Sequence, residues 1–208
     1  MKFSAILSTL ALVAPGVLAS PTQRDLATIQ GVITDIQAQV NSLQTAIEAT
    51  PLDPDAIVAQ SDTLVSTIQE GATTVDGQPA LTQIEALGLV SPVQDLAADV
   101  DTTVQALIAV KDDIDALGEG CTTLTALEAQ AAAAQQLSDA IVSKVPDALK
   151  DISTELAATI STAIQNGIDA YAGSCDGSNP TSTTTTSDPT STTTTSSTTR
   201  TACPAPTN

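Results

Sequence analysis

The chain has 208 residues, enough for one ordinary domain with appendages, and carries a formal net charge of -18 from 24 acidic and 6 basic residues. This charge would repel a phosphate backbone, so nucleic acid is not expected as a partner. The chain has no histidine, which excludes Ser-His-Asp and Cys-His catalysis, His-ligated zinc and the Glu-x-x-His di-iron bundle.

Residues 1–19 have the pattern of a secretory signal peptide. Lys2 supplies the positive start, residues 6–13 form a short apolar run, and Val17-Leu18-Ala19 provides small residues at the cleavage positions. The run is too short to span a bilayer, so we predict no transmembrane anchor. We predict cleavage after Ala19 and a secreted protein, extracellular or in the cell wall, where disulfides persist.

Residues 20–175 are predicted to form one all-α domain, an antiparallel helical bundle of five to six helices. Apolar residues recur there at three- and four-residue steps, the period of a helix with one buried stripe. The first helix is predicted over residues 25–49. Asp53-Pro54 then begins the second helix, with Asp as the N-cap and Pro at the first helical position. This helix is predicted to end near Glu70, before a loop at residues 71–79.

The segment from residue 80 to Leu117 is predicted as a short helix followed by a longer one. Gly88 interrupts the apolar pattern, and Ser91-Pro92 has the form of a second N-cap and first-position pair. Whether residues 88–92 form a kink or a break decides between five and six helices. The longer helix is predicted to continue to Leu117, with Gly118-Glu119-Gly120 as its stop. The short helix is predicted to turn three residues inward: Leu81, Ile84 and Leu87.

Two long helices joined at Val145-Pro146 are predicted between Cys121 and Cys175. Pro146 cannot continue the first helix, because it lacks an N–H, but its fixed φ suits the start of the second. The short connection makes the two helices antiparallel neighbours of about 30–35 Å each. Cys175 therefore returns to the level of Cys121, and we predict a disulfide between them that acts as a structural staple.

Residues 176–208 are predicted to be a disordered, O-glycosylated tail. They consist mainly of Ser, Thr and Pro, with almost nothing apolar to bury. No hydrophobic stretch follows, so we expect no GPI anchor signal. The third cysteine, Cys203, is left over and either pairs with another chain or remains free.

A cluster of carboxylates at residues 112–119 is the only candidate for a ligand set. It includes Asp112, Asp113, Asp115 and Glu119, near a helix end where negative charge opposes the helix dipole. Their spacing matches no EF-hand loop, and a solvated face is the usual explanation for such a cluster. We therefore predict no metal site, no cofactor and no catalytic site, and the chain is not expected to be an enzyme.

The amphipathic helices leave two interpretations of the interior, a filled core or a ligand cavity between helices. With no Trp or Phe in the mature chain, medium and small side chains must pack long helices, which favours a cavity. The Ala-rich segment 131–134 instead allows close approach and a full core. If there is a pocket, Leu107→Trp is expected to fill it. The residues predicted to contact a lipid lie at mid-helix stripe positions: Ile36, Val40, Val104, Leu107, Leu137, Ile160 and Ile164.

Two segments, Asp139–Pro146 and Ala163–Tyr171, resemble the fungal hydrophobic surface-binding protein A and cell-wall galactomannoprotein family. The signal segment, the motif Ser91-Pro92-Val93 and the Ser/Thr-rich tail are similar as well, and the resemblance covers about residues 25–172. It implies a small all-helical secreted domain, found in walls or culture fluid. It also implies adhesion to hydrophobic surfaces, and some members bind fatty acids between their helices or are known as antigens.

We therefore predict a secreted, noncatalytic protein that binds fatty acids, other lipids or hydrophobic surfaces through its amphipathic bundle. The alternative is a structural cell-wall galactomannoprotein or antigen. In that case the glycosylated tail is the functional part, and cell-wall polysaccharide is a further partner. A shared consequence of both hypotheses is that the chain needs no cofactor.

Overall fold

The computed structural model describes residues 22–175, with side chains from residue 25 onward. The predicted signal segment 1–19 and the tail 176–208, with Cys203, lie outside the described residues. The predicted all-α bundle is confirmed, because the described part contains six α-helices, one 3-10 turn and no β-strand. These elements are α1 Thr22–Ile47, α2 Pro54–Asp76, α3 Gln83–Ala109, α4 Lys111–Ala116, α5 Gly120–Lys144, the turn Asp147–Leu149 and α6 Lys150–Tyr171.

The five long helices pack in a closed ring. In this ring α1 contacts α2, α2 contacts α5, α5 contacts α6, α6 contacts α3, and α3 returns to α1. The short connections make α1 antiparallel to α2 and α5 antiparallel to α6. Hydrogen bonds from Gln30 to Gly88 and from Gln37 to Asp99 show that α1 and α3 run in the same direction. None of the described helices is long and apolar enough to cross a membrane.

Helix α2 begins where the sequence predicts but ends later. The Asp53 side chain accepts a hydrogen bond from the Ala56 amide, and Pro54 occupies the first helical position. The helix then continues through Gly71 to Asp76, so the predicted end at Glu70 is wrong. Gly71 is a contact glycine, since a Cβ there would lie 2.6 Å from Val32 Cγ1 of α1. The missing side chain allows α1 and α2 to pack closely without interrupting the helix.

Helix α3 begins with a capping box that the sequence analysis overlooked. The Glu85 amide donates to the Thr82 side chain, and the Glu85 carboxylate accepts from the Thr82 amide. The face that α3 buries differs from the predicted one. Ile84 is 84% exposed and Leu87 is 51% exposed, so their predicted inward orientation is wrong. Leu81 is buried as predicted, and the buried positions on α3 here are Ala86 and Leu89.

Pro92 lies inside α3, so residues 88–92 form no break and Ser91-Pro92 is not a helix start. Proline has no N–H to give the carbonyl four residues earlier, which here belongs to Gly88. The Gln30 side-chain amide of α1 donates to that carbonyl at 3.2 Å. A side chain of the neighbouring helix thus replaces the missing helical hydrogen bond. This contact also ties α1 to α3.

The helix predicted to reach Leu117 stops at Ala109. Val110 leaves the helical conformation, and the short helix α4 follows. The bend buries Ile114 to 1% exposure and leaves Leu117 55% exposed. Gly118 then adopts φ +83, which favours glycine, and ends α4 as the sequence predicts.

The predicted α5–α6 hairpin is present. Val145 is extended, as expected for a residue before proline, and a 3-10 turn precedes α6. A disulfide joins Cys121 to Cys175 with a Cα–Cα distance of 4.6 Å. Beside it, Tyr171 is fully buried and its hydroxyl donates to the Leu107 carbonyl at 2.9 Å. The disulfide and the tyrosine together close one end of the ring.

Candidate functional site

A cavity of about 100 Å³ lies inside the ring, and all five long helices line it. Its walls are mainly Ile, Leu, Val and Ala, and no ionisable residue is among them. Each helix turns its buried stripe toward the same axis, and medium-sized side chains leave that axis incompletely filled. The polar lining residues are Thr103, Gln130, Ser138, Ser153 and Ser161.

Gln130 is the most unusual of these polar residues. It lies on α5 and is only 7% exposed, and its side-chain amide forms no hydrogen bond with another described residue. Because the residue lines the cavity, this amide is available to pair with a polar group of a ligand there. Thr103 is also buried, but its hydroxyl donates to the Asp99 carbonyl at 2.8 Å.

The first half of α6 is the weakest wall of the cavity. Ser153, Leu156 and Ile160 line the cavity but remain half-buried, and no residue from 150 to 161 is fully buried. The second half of the same helix is held much more firmly, by Ile164 and Tyr171 among other buried residues. The cavity is therefore bounded on this side by a segment that packs against the core through few contacts.

The structure brings five of the seven predicted lipid-contacting residues together around the cavity. Val104 and Leu107 do not line it. In this part of α3, the residues that line the cavity are Val100 and Thr103. Val104 faces Gly167 of α6, where its Cγ1 would lie 3.0 Å from a Cβ. The five residues that do line the cavity are Ile36, Val40, Leu137, Ile160 and Ile164.

The sequence analysis missed the polar members of the lining, although one signal was available. Gln130 falls three residues after Leu127 and seven before Leu137, inside the apolar stripe of α5. A polar residue at a stripe position must be buried with a partner or face a cavity. Thr103 gave no comparable signal, because its neighbour Val104 also satisfies the apolar period of α3.

The carboxylate cluster serves the structure around Tyr171. Asp115 pairs with Lys111, whose ammonium lies 5.6 Å from the centre of the Tyr171 ring. Burial is the largest single influence on the pKa of Asp115 and raises it. The hydrogen bonds from Lys111 and Ser174, together with the charge of Lys111, outweigh burial and leave that pKa below its usual value. Among the described residues, no group of three or more Asp, Glu, Cys or His side chains is placed to hold a metal ion.

Comparison with protein families gives one match over the helical domain. Residues 26–143 match the model of hydrophobic surface binding protein A. Among curated relatives, cell wall mannoprotein 1 of Aspergillus fumigatus is 46% identical over 174 residues, which cover 82% of this chain and 60% of the relative. The relative of the same name from Aspergillus flavus is 37% identical, with 63% of its length covered. The chain thus spans about three fifths of these relatives.

Solved structures share the same fold. Ligand binding domain 2 of the MP1 protein of Penicillium marneffei, complexed with multiple arachidonic acids, is 37% identical with a TM-score of 0.70. The match covers 72% of this chain and 97% of that domain. Ligand binding domain 1 of the same protein, complexed with arachidonic acids, is 32% identical with a TM-score of 0.69, covering 71% and 99%.

Proposed function

The chain belongs to the hydrophobic surface binding protein A family, and from this we propose that its bundle binds the acyl chain of a fatty acid or similar lipid. The observation that carries the proposal is the apolar cavity lined by all five long helices. The two MP1 domains of the same fold, each complexed with arachidonic acids, support the same function. Their names describe ligand binding rather than catalysis, and we propose a noncatalytic role here too.

The acyl chain would occupy the axis of the ring. We propose that it contacts Ile36 and Val40 of α1, Leu137 of α5, and Ile160 and Ile164 of α6, which share this lining. Each methylene moved from water into such a site contributes about 0.8 kcal/mol. Chain length should therefore raise affinity stepwise until the chain outgrows the ring.

Binding a long chain requires the ring to open. The cavity of about 100 Å³ is smaller than the roughly 300–1,000 Å³ typical of sites for drug-sized ligands. The first half of α6, residues 150–161, is the wall with the least buried contact, so moving it outward costs the least. We propose that this segment is displaced when the ligand enters, while the disulfide and Tyr171 hold the opposite end closed.

A matched pair of substitutions on α5 tests the cavity. Ala134 lines it, whereas Ala132 is exposed on the same helix two residues earlier. Ala134→Phe should fill the interior and weaken binding of a fluorescent fatty acid at least tenfold, and Ala132→Phe should leave it unchanged. Circular dichroism on both variants checks that they fold. If both variants fold and both bind the fatty acid as tightly as the wild type, the internal site is refuted.

Adsorption to a hydrophobic surface is a second candidate, because apolar side chains are exposed on α3 and α6. Ile84 is 84% exposed, Leu87 51% and Ile152 44%. Replacing Ile84 and Leu87 by Asp should reduce adsorption to polystyrene beads without changing fatty-acid displacement. If both properties fall together in a folded variant, one site serves both.

We also propose the domain organisation and location of the whole protein. A signal peptide at residues 1–19, the binding domain at 20–175 and an O-glycosylated tail at 176–208 would give a secreted protein of the cell wall or medium. The relatives named cell wall mannoprotein 1 support this location. Sequential extraction tests it: release by detergent indicates noncovalent retention, whereas release only by glucanase indicates that the tail is attached to wall polysaccharide.

A further inference from the structure

The cavity has no ionisable lining, and we propose that it accepts the polar end of its ligand only in uncharged form. The ligand would be a protonated fatty acid or a neutral lipid such as a fatty alcohol, rather than a carboxylate. This inference rests on the proposed function and specifies the ligand class of the same site.

No cation is placed to neutralise a buried carboxylate. Among the side chains described, the cations are three lysines, and each is engaged elsewhere. Lys111 pairs with Asp115, Lys150 pairs with Asp147, and the Lys144 ammonium donates to the Asp76 carbonyl at 2.8 Å. A carboxylate taken into the cavity would therefore lose its water without gaining an opposite charge, which costs several kcal/mol.

The charged groups on the surrounding helices would repel an anion further. From residue 25 onward, where side chains are described, those on the helices around the cavity are all carboxylates, apart from the two engaged lysines at the α5–α6 connection. None of them lines the cavity. From α1 to α6, the carboxylates nearest to the lining positions in the chain are Asp35, Asp62, Glu70, Glu85, Asp95, Asp99, Asp101, Glu128, Asp139, Asp151, Glu155 and Asp169.

Of the polar lining groups, Thr103 fits a neutral partner better than an anion, whereas Gln130 and the lining serines can donate to either. The Thr103 hydroxyl already donates its proton to the Asp99 carbonyl, so its oxygen is left only to accept. The Gln130 amide can both donate and accept. A carboxylic acid or an alcohol offers an O–H to such acceptors, whereas a carboxylate offers no proton at all.

The binding affinity should therefore depend on pH because the ligand titrates. A carboxylic acid has a pKa of about 4–5 in water, so its neutral fraction falls about tenfold for each pH unit above that value. When only the neutral form binds, the apparent dissociation constant rises by the same factor. A fatty acid should thus bind more tightly as the pH falls. A fatty alcohol of equal length should bind equally well throughout.

Displacement of the uncharged probe N-phenyl-1-naphthylamine from the full secreted protein tests this with three ligands of one chain length. Dodecanol should bind with constant affinity between about pH 5.5 and about pH 7.5, and dodecanoic acid should lose about a hundredfold over that range. Dodecyl sulfate, which stays anionic, should bind at least tenfold more weakly than dodecanol. Gln130→Leu should weaken dodecanol binding about tenfold, the loss of one buried hydrogen bond.

The outcomes distinguish a failure of the neutral-ligand inference from a failure of the proposed lipid binding. Dodecanoic acid that binds equally well across the range, or dodecyl sulfate that matches dodecanol, overturns the neutral-ligand inference and leaves lipid binding intact. A protein that takes up the probe but releases it to none of the three ligands overturns both. The dodecanol series also corrects for any change of the protein itself with pH, so a folding defect cannot imitate the expected result.

Discussion

Gly71 offers a direct test of how closely α1 and α2 pack. A Cβ at this position would lie 2.6 Å from Val32 Cγ1 and 3.6 Å from Ile36 Cδ1. The second distance is an ordinary contact, but the first is shorter than real carbon–carbon contacts allow. Val32 cannot easily rotate away, because valine in a helix has one strongly preferred rotamer. Gly71→Ala should therefore push the two helices apart.

The expected cost follows from comparison with a second helical glycine. Gly31 on α1 is exposed and would place a Cβ with nothing within 4 Å. Gly31→Ala should stabilise the fold by about 0.5–1 kcal/mol through helix propensity alone. Gly71→Ala gains the same propensity but adds an overpacking cost of about 1–3 kcal/mol. The free energies of unfolding of the two variants should thus differ by about 1–3 kcal/mol.

Urea unfolding followed by circular dichroism at 222 nm measures both variants. The contact itself is checked by repeating Gly71→Ala in a Val32→Ala background, where the clashing methyl group is absent. There Gly71→Ala should stabilise about as much as Gly31→Ala does. If Gly71→Ala is as favourable as Gly31→Ala in the wild-type background, the close approach of α1 and α2 is refuted.

The remaining predictions concern the hydrogen bonds, the closed end of the ring and the predicted pocket block. Gln30→Leu should lower the free energy of unfolding, measured in urea, by about 1 kcal/mol. The substitution removes the side-chain amide that donates to the Gly88 carbonyl, which Pro92 cannot do. Burial raises the pKa of Tyr171, so its contribution to stability is present below about pH 10 and is lost as the pH rises further. Alkaline unfolding of Tyr171→Phe should lack this component, and an unchanged pH profile would contradict it. Removing the disulfide by Cys121→Ser with Cys175→Ser should cost about 4 kcal/mol for a loop of 54 residues, measured by urea unfolding beside the reduced wild type. Leu107→Trp should destabilise by about 1–3 kcal/mol yet leave fatty-acid displacement in place, since this residue packs outside the cavity.

Much of the fold follows from local chemistry. The helical period, the Asp53-Pro54 start and the stop at Gly118 are properties of short segments, and the structure has them as predicted. The hairpin from Cys121 to Cys175 is equally local, because one Pro-marked turn forces the chain back on itself. The Thr82 capping box is equally local, because Thr82 and Glu85 have the three-residue spacing of that motif.

Other features depend on partners distant in the chain. Gly71 and Pro92 look like helix breaks, and they are not, because α1 supplies a complementary surface to the first and a hydrogen-bond donor to the second. The site depends on the tertiary structure in the same way. Periodicity identifies a buried stripe, but a stripe is wider than the face that meets a cavity.

By itself, the sequence determined that the domain is a bundle of amphipathic helices closed by a disulfide, since spacing and turn residues act within a few residues of chain. Only the ring of α1, α2, α5, α6 and α3 decided that the stripes leave a space between them. It also decided that Val104 packs against Gly167 of α6 and that Leu107 lies outside the cavity lining, while Gln130 lines the cavity. The physical reason is that neighbouring helices set the rotation of each helix about its own axis. A rotation by one residue position is enough to move a side chain from the cavity into the core.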